Sequence, residues 1–424
     1  MGRTCTGRIR FIMLVLVSLL GMCWLVYAVI LTHVEGIPHM QRKIPVKKTS
    51  HVQRMLDKAS NILSTDFVMI QRKTAVMKMC KKNSTYNLPN RHHMVYNRNK
   101  PFLYCKATKA GSTFWGRLLL QIDKHRIASP YHIKPQIGVT NVFPTINEWK
   151  HIDAILRRST KFIIARDPLE RLYSAYVDKV FSPNPFYWDV LGTYIVKTFR
   201  DNTSKTTCGH DVTFPEFLQY AVHAETTGKH VDVHVLSLWK SCSPCHVKYD
   251  IIGKMETFKD DTNYILDKLN LEPYKAVLRN ISIDAVNDAL YDTAQAYVSM
   301  RGVATKCTSK QNTAERIWTK LKARGFIAAD LPVPSNLFYK KEATVFEIFK
   351  GAYSKSVLEL GRQGLKQQQN TIFLETFKRI PKHTLSQLAK TYSMDFQMFG
   401  YEQEFNEMFN KSTNSGFSIS AIFF

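Results

Sequence analysis

The stretch Tyr104-Cys-Lys-Ala-Thr-Lys-Ala-Gly-Ser-Thr-Phe-Trp-Gly-Arg117 reads as the end of a strand, a tight basic turn and the start of a helix. An apolar run (Phe102, Leu103, Tyr104) meets Lys106, Lys109 and Gly111, and Ser112 and Thr113 stand just ahead of a helix carrying Leu118, Leu119 and Ile122. Backbone N–H groups at a helix N-terminus, hydroxyls beside them and a lysine in the turn together favour a bound phosphate or sulfate. A second stretch, Phe162-Ile-Ile-Ala-Arg-Asp-Pro-Leu-Glu-Arg-Leu-Tyr-Ser-Ala-Tyr176, follows the same plan with other groups. Its apolar run meets Arg166, Pro168 suits the first helical turn, and Ser174 lies further along the helix. Arginine grips phosphate bidentately, so the two turns suit a nucleotide phosphorylated at two places.

Around these turns, strand and helix patterns alternate. Strands are expected over 102–106, 161–165 and 247–252, and helices over 112–124, 146–157, 168–180, 214–223 and 258–270. Such alternation predicts an α/β fold with a mostly parallel sheet flanked by helices, and ligands in such folds sit at the C-terminal ends of the strands. Residues 281–380 read as a helical insertion, with helix-like patterns over 314–324 and 343–350, serving either the acceptor cleft or extra packing. Residues 32–100 are polar and basic and read as a stem, helical in part between Val52 and Met79.

The two stretches resemble the phosphosulfate-binding and phosphate-binding motifs of the membrane-bound carbohydrate sulfotransferases, the family of chondroitin, dermatan, N-acetylgalactosamine 4-O- and HNK-1 sulfotransferases. Aligned on Trp115, the family pattern Pro-Lys-Val-x-Cys-Thr-x-Trp-Lys-Arg places its lysine on Lys109 and its threonine on Thr113, with Thr108 in place of proline and Ser112 in place of cysteine. Arg166 through Tyr176 matches the second motif almost throughout. Trp239 to Asp261 resembles the family's Cys-x-Pro-Cys-x-x-x-Tyr-Asp-x-x-Gly-Lys-x-Glu-Thr segment, and Tyr392 to Tyr401 its C-terminal end. The resemblance implies a P-loop-like sulfotransferase fold and 3′-phosphoadenylyl sulfate as sulfuryl donor, with no metal. It further implies that Thr108, Lys109, Ala110, Gly111, Ser112, Thr113 and Phe114 hold the phosphosulfate end. Arg166, Asp167 and Ser174 belong to the 3′-phosphate motif, where Asp167, Glu170 and Arg171 are expected chiefly to organise the turn.

The rest of the chain indicates where such chemistry takes place. Phe11 to Leu31 is uncharged, mostly apolar and long enough to cross a bilayer, with Arg3, Arg8 and Arg10 before it. It reads as a signal-anchor rather than a cleaved signal peptide, whose apolar core is shorter and ends at a small-residue cleavage site. Asn-x-Ser/Thr sequons at Asn83, Asn202, Asn280 and Asn410 all follow the span and predict a glycosylated lumenal region. The organisation expected is a cytoplasmic tail (1–10), a transmembrane helix (11–31), a stem (32–100) and a catalytic domain (101–424), in a type II Golgi membrane protein. The formal charge of +25 favours polyanionic partners, and behind a membrane anchor these are acidic glycans rather than nucleic acid.

Sulfuryl transfer builds charge on the leaving phosphate oxygen while the incoming hydroxyl loses a proton. Lys109 is the expected stabiliser of the leaving group, with Lys106 a basic neighbour. His132, in Ser129-Pro-Tyr-His-Ile-Lys134, is the expected base because it occupies roughly the place of a histidine in related sulfotransferases. His234 and Glu256 are its rivals. Cys242-Ser-Pro-Cys245-His246 also fits a haem-attachment, redox or half-zinc pattern, but its setting favours structural cysteines with their pairing open. A kinase or glycosyltransferase fits poorly, because the first turn lacks Gly-Lys-[Ser/Thr] and no Asp-x-Asp pair is present. The function expected is therefore transfer to a glycan hydroxyl, best matched by the 4-O of N-acetylgalactosamine in chondroitin or dermatan. The alternatives are an HNK-1-type glucuronate or N-glycan N-acetylgalactosamine acceptor, or a glycan-binding membrane protein without catalysis.

Overall fold

The computed structural model describes residues 51–82, 93–97, 100–134, 152–200, 208–401 and 423, with side chains from residue 64 onward. The chain divides into two units, residues 1–60 and 61–424, and of the first only the helical backbone of 51–60 is described. The span Phe11–Leu31 lies outside the described residues, among which no helix is long and apolar enough to cross a membrane.

The larger unit is built on a four-stranded sheet in the order β1 (Met94–Asn97), β2 (Phe102–Cys105), β3 (Thr160–Ala165), β4 (Ile251–Lys254). β2, β3 and β4 are parallel, with Tyr104 opposite Phe162 and Phe162 opposite Ile251. β1 is an antiparallel edge strand that pairs Met94 with Cys105 and lies within the stretch read as stem. Both faces of the sheet are covered, which is why the central strands read as continuous apolar runs. Alternate side chains sort accordingly. Leu103, Cys105, Ile163, Ala165 and Ile252 enter one core, whereas Phe102, Tyr104, Phe162, Ile164 and Ile251 enter the other with Trp115 and Leu118.

The flanking helices are α1 (His51–Lys82), α2 (Ser112–Asp123), α3 (Ile152–Arg158), α4 (Pro168–Ala175), α5 (Phe214–Thr227) and α6 (Phe258–Lys268). From residue 61, α1 is tied to β4 and to the helix Phe258–Lys268, since Arg72 donates to the Ile252 carbonyl at 3.2 Å and pairs with Asp261 at 2.7 Å. The helix expected over 168–180 ends at Ala175 and continues as a π-helix, Tyr176–Phe181. The strand expected over 247–252 starts later, because Pro244–Val247 forms a helical turn between left-handed Ser243 and Lys248. The cysteines around that turn bond to distant partners, Cys242 to Cys105 and Cys245 to Cys80. That pairing leaves no thiol for haem, redox or zinc chemistry there. A third disulfide joins Cys208 to Cys307. Closing loops this long typically stabilises a fold by about 2–4 kcal/mol per bridge.

Three helices occupy most of residues 281–380. α7 (Ile281–Ala304), α8 (Lys310–Ala323) and α9 (Glu342–Lys378, broken at Gly361) enclose a third core around Tyr297, Trp318 and Phe349. α10 (Lys382–Thr391) and α11 (Ser393–Phe399) complete the unit.

Candidate active site

Because β2, β3 and β4 run parallel, the turns after Cys105, Ala165 and Lys254 all lie at one edge of the sheet. The first turn is shaped by backbone. Lys109 and Gly111 have left-handed φ of 61° and 72°, and Gly111 stands at the N-cap of α2 with no side chain capping the helix. A Cβ on Gly111 would lie 2.6 Å from the Phe258 ring, so both conformation and space require glycine. The N–H groups of the first α2 turn are thus left to an outside acceptor, and the half-buried Ser112 and Thr113 place hydroxyls beside them.

The second turn is closed by its own side chains. The Asp167 carboxylate accepts from the Glu170 N–H at 2.8 Å and caps α4, while Glu170 pairs with Arg166 at 3.1 Å. Arg166 also donates to the Lys109 carbonyl at 3.1 Å, which locks the two turns together. Arg171 is buried away from the turn against Asp395 of α11 and the Leu236 carbonyl. Ser174 is half-buried further along α4.

Asp178, in the π-helix, is the hub of the charge arrangement. It pairs with Lys109 at 2.8 Å, with Lys320 of α8 at 2.9 Å and with Lys179 at 3.6 Å. Burial pushes its carboxyl up, but Lys109, Lys320, Lys179 and Arg324 overcome this and hold it well below the usual carboxylate range. Burial brings Lys109 down to about 8, against the pull of Asp178 and with Lys179 and Arg324 adding to the fall. Asp292, raised by burial, is a further carboxylate near Lys320. Arg324 is open to solvent, feels both Asp178 and Arg166, and makes no hydrogen bond or ion pair among the described residues. Several cations thus converge where few carboxylates balance them, and an anion satisfies the excess.

Lys320 and Arg324 are not marked as site residues by any local motif, since they lie far along the chain from both turns. The available signal was the four-residue spacing of Arg316, Lys320 and Arg324, one stripe of a helix. Arg117 of the first motif likewise reaches residues 281–380, being buried and paired with Asp288 of α7 at 2.8 Å.

The expected bases separate. His132 is exposed at the end of a 3-10 turn, Pro130–His132, whose Tyr131 packs on Phe114, and no described contact joins it to Lys109 or Arg166. Glu256 is exposed and accepts from the Tyr401 hydroxyl at 3.1 Å. His234 stands on a loop bonded to the first turn, where the Thr108 hydroxyl donates to the Val233 carbonyl at 2.8 Å. Lys106 is half-buried and its pKa is lowered by burial. Asn280 is exposed at the N-cap of α7, while Asn83, Asn202 and Asn410 lie outside the described residues. Among the described residues, no cluster of His, Cys, Asp and Glu is placed to hold a metal ion.

Residues 92–319 match the model of a sulfotransferase family, which runs through the sheet, both turns, α7 and most of α8. Carbohydrate sulfotransferase 11 of Mus musculus is 28% identical over 241 residues, covering 53% of this chain and 68% of that protein. Carbohydrate sulfotransferase 9 of Homo sapiens is 29% identical, covering 51% of each chain. Carbohydrate sulfotransferase 14 of Mus musculus is 33% identical, covering 43% of this chain and 48% of that protein. The chain spans about half the length of the last two relatives. No solved structure matches it. The chain belongs to the sulfotransferase family, and membership implies 3′-phosphoadenylyl sulfate as the sulfuryl donor.

Proposed function

We propose that this member of the sulfotransferase family moves the sulfuryl group of 3′-phosphoadenylyl sulfate onto a glycan hydroxyl, using the two turns for different ends of the donor. The observation that carries this reading is the joined pair of turns: an uncapped α2 N-terminus bearing Lys109, bonded through the Lys109 carbonyl to Arg166. The first turn, Thr108 to Phe114, receives the phosphosulfate end. Its N–H groups and the Lys109 ammonium stabilise the charge that develops on the departing phosphate oxygen. Arg166 and Ser174 hold the 3′-phosphate. Asp167 serves by capping α4, its carboxylate accepting the Glu170 N–H at 2.8 Å.

The acceptor proposed is N-acetylgalactosamine of chondroitin or dermatan, sulfated at O4. Support comes from the likeness of the Trp239 to Asp261 block to that branch of the family and from the formal charge of +25, which gathers an acidic chain. A Golgi lumenal setting, behind Phe11–Leu31 as signal-anchor and 32–100 as stem, is supported by the sequons and by the three disulfides, which persist in oxidising compartments.

The test is incubation of the protein with radiolabelled donor and a panel of desulfated glycosaminoglycans, with disaccharide analysis of the label. Label at O4 of N-acetylgalactosamine is expected. Label at glucuronate or on an N-glycan replaces the acceptor but keeps the reaction. Tight donor binding with no transfer to any acceptor overturns catalysis and leaves a glycan-binding protein.

A further inference from the structure

The loop between α5 and the helix Leu238–Cys242 is fastened from almost every side. The Tyr220 hydroxyl donates to the His230 carbonyl at 2.8 Å and accepts from the Asp232 N–H at 2.9 Å. Thr108 holds the Val233 carbonyl, Tyr392 holds the Val235 carbonyl at 2.6 Å, and Arg171 holds that of Leu236. Asp395 accepts from the N–H groups of Leu238 and Trp239 at 2.7 and 2.8 Å. Side chains from the first, second and fourth sequence blocks therefore converge to fix ten residues of backbone around His234, far more than a surface loop needs to stay folded.

What this holds in place is a carboxylate–imidazole pair. Asp232 Oδ1 lies 2.7 Å from His234 Nδ1 and also accepts the His234 N–H at 2.8 Å. A proton on Nδ1, assigned from that contact, leaves Nε2 as the acceptor. Tyr187 flanks the ring, its hydroxyl 3.4 Å from Nδ1.

We propose that His234, oriented by Asp232, accepts the proton of the glycan hydroxyl during transfer. This rests on the sulfotransferase reading above and replaces His132 in the role. In the step, the hydroxyl oxygen forms a bond to sulfur as the bond from sulfur to the 5′-phosphate oxygen breaks. The hydroxyl proton passes to His234 Nε2, and the electron pair leaves with adenosine 3′,5′-bisphosphate beside Lys109. The charged groups that act on the ring are Asp232 from its own loop, Lys109 from the first turn and Lys179 from the π-helix, with Asp178 acting on the neighbouring Tyr187. Burial holds His234 below the usual histidine range against the pull of Asp232, and Lys179 and Lys109 lower it further, so the ring is neutral and basic at neutral pH.

The test compares His234→Gln, Asp232→Asn, Lys179→Met and His132→Gln in two assays, turnover and calorimetric binding of adenosine 3′,5′-bisphosphate. His234→Gln should lower kcat by roughly 10²–10⁴-fold, with bisphosphate affinity and melting temperature near wild type. Wild-type turnover should be level at neutral pH and fall only on the acid side, below the ordinary histidine range. Asp232→Asn removes a group that raises the His234 pKa and should move that acid limb down. Lys179→Met removes one that lowers it and should move the limb up, a pair of opposite shifts that a purely structural role does not produce. Undiminished kcat in His234→Gln, or loss of turnover in His132→Gln alone, overturns the proposal while leaving the transferase reading intact. Wild-type protein that binds no bisphosphate overturns both.

Discussion

The two basic turns have the same outline in sequence and opposite construction in space. The Lys109 turn spans two left-handed residues and leaves the N-terminus of α2 uncapped, whereas the Arg166 turn caps α4 with its own Asp167 and pairs its arginine with Glu170. An anion at the first turn meets backbone N–H groups and a helix dipole. At the second it meets side chains alone, because a carboxylate already occupies the helix end. The first is therefore suited to the end of the donor where charge changes during reaction, and the second to a phosphate that stays as it is.

The largest expected effect tests that division directly. Lys109→Ala should slow transfer by about 10²–10³-fold, as removing one developing-charge stabiliser typically does, while bisphosphate affinity falls far less. Arg166→Ala should do the reverse. Losing a charge-assisted contact worth about 1.5–3 kcal/mol weakens bisphosphate binding roughly 10–100-fold with kcat at saturation close to wild type. Equal losses of kcat and affinity in both variants would erase the contrast.

Gly111→Ala sharpens it from the backbone side. Its left-handed φ and the 2.6 Å approach to Phe258 force the turn to shift, at a cost of about 1–3 kcal/mol in thermal unfolding, with loss of bisphosphate binding. The turns also differ in their response to pH. Lys109 is charged below about 8 and loses its proton as pH rises through that value, so turnover should be level near pH 7 and decline above 8, with bisphosphate affinity changing far less. In Lys109→Ala that decline should disappear. The smallest effect belongs to Asp167→Ala, which removes a helix cap worth about 1 kcal/mol of stability. Binding of the bisphosphate should hold or strengthen, because an anion has left the helix end; a drop in affinity would give Asp167 a part in holding the donor.

The turns were legible in the sequence because their determinants are local: apolar run, basic turn, glycine or proline, amphipathic helix. The three parallel strands followed from the same pattern. β1 was not legible, since Met94-Val-Tyr-Asn97 is a short edge strand inside a polar stretch and owes its place to pairing with β2. The charge hub was equally hidden, because Asp178 meets Lys109 across 69 residues and Lys320 across 142, and no local pattern marks such partners. His234 drew notice only as a rival to His132, since the contacts that fix its loop come from Thr108, Arg171, Tyr220, Tyr392 and Asp395. The even count of cysteines outside the expected tail and span indicated bridges, but their partners depended on β2 and α1 meeting the Cys242 turn in space.

The central claim, that the Arg166 turn reads the 3′-phosphate while the Lys109 turn serves the reacting end, is tested most directly by calorimetric titration with two nucleotides. Adenosine 3′,5′-bisphosphate and adenosine 5′-monophosphate are titrated into wild-type, Arg166→Ala and Lys109→Ala proteins. The account predicts that wild type and Lys109→Ala prefer the bisphosphate and that Arg166→Ala loses most of that preference. A preference that survives Arg166→Ala, or disappears in Lys109→Ala, contradicts it.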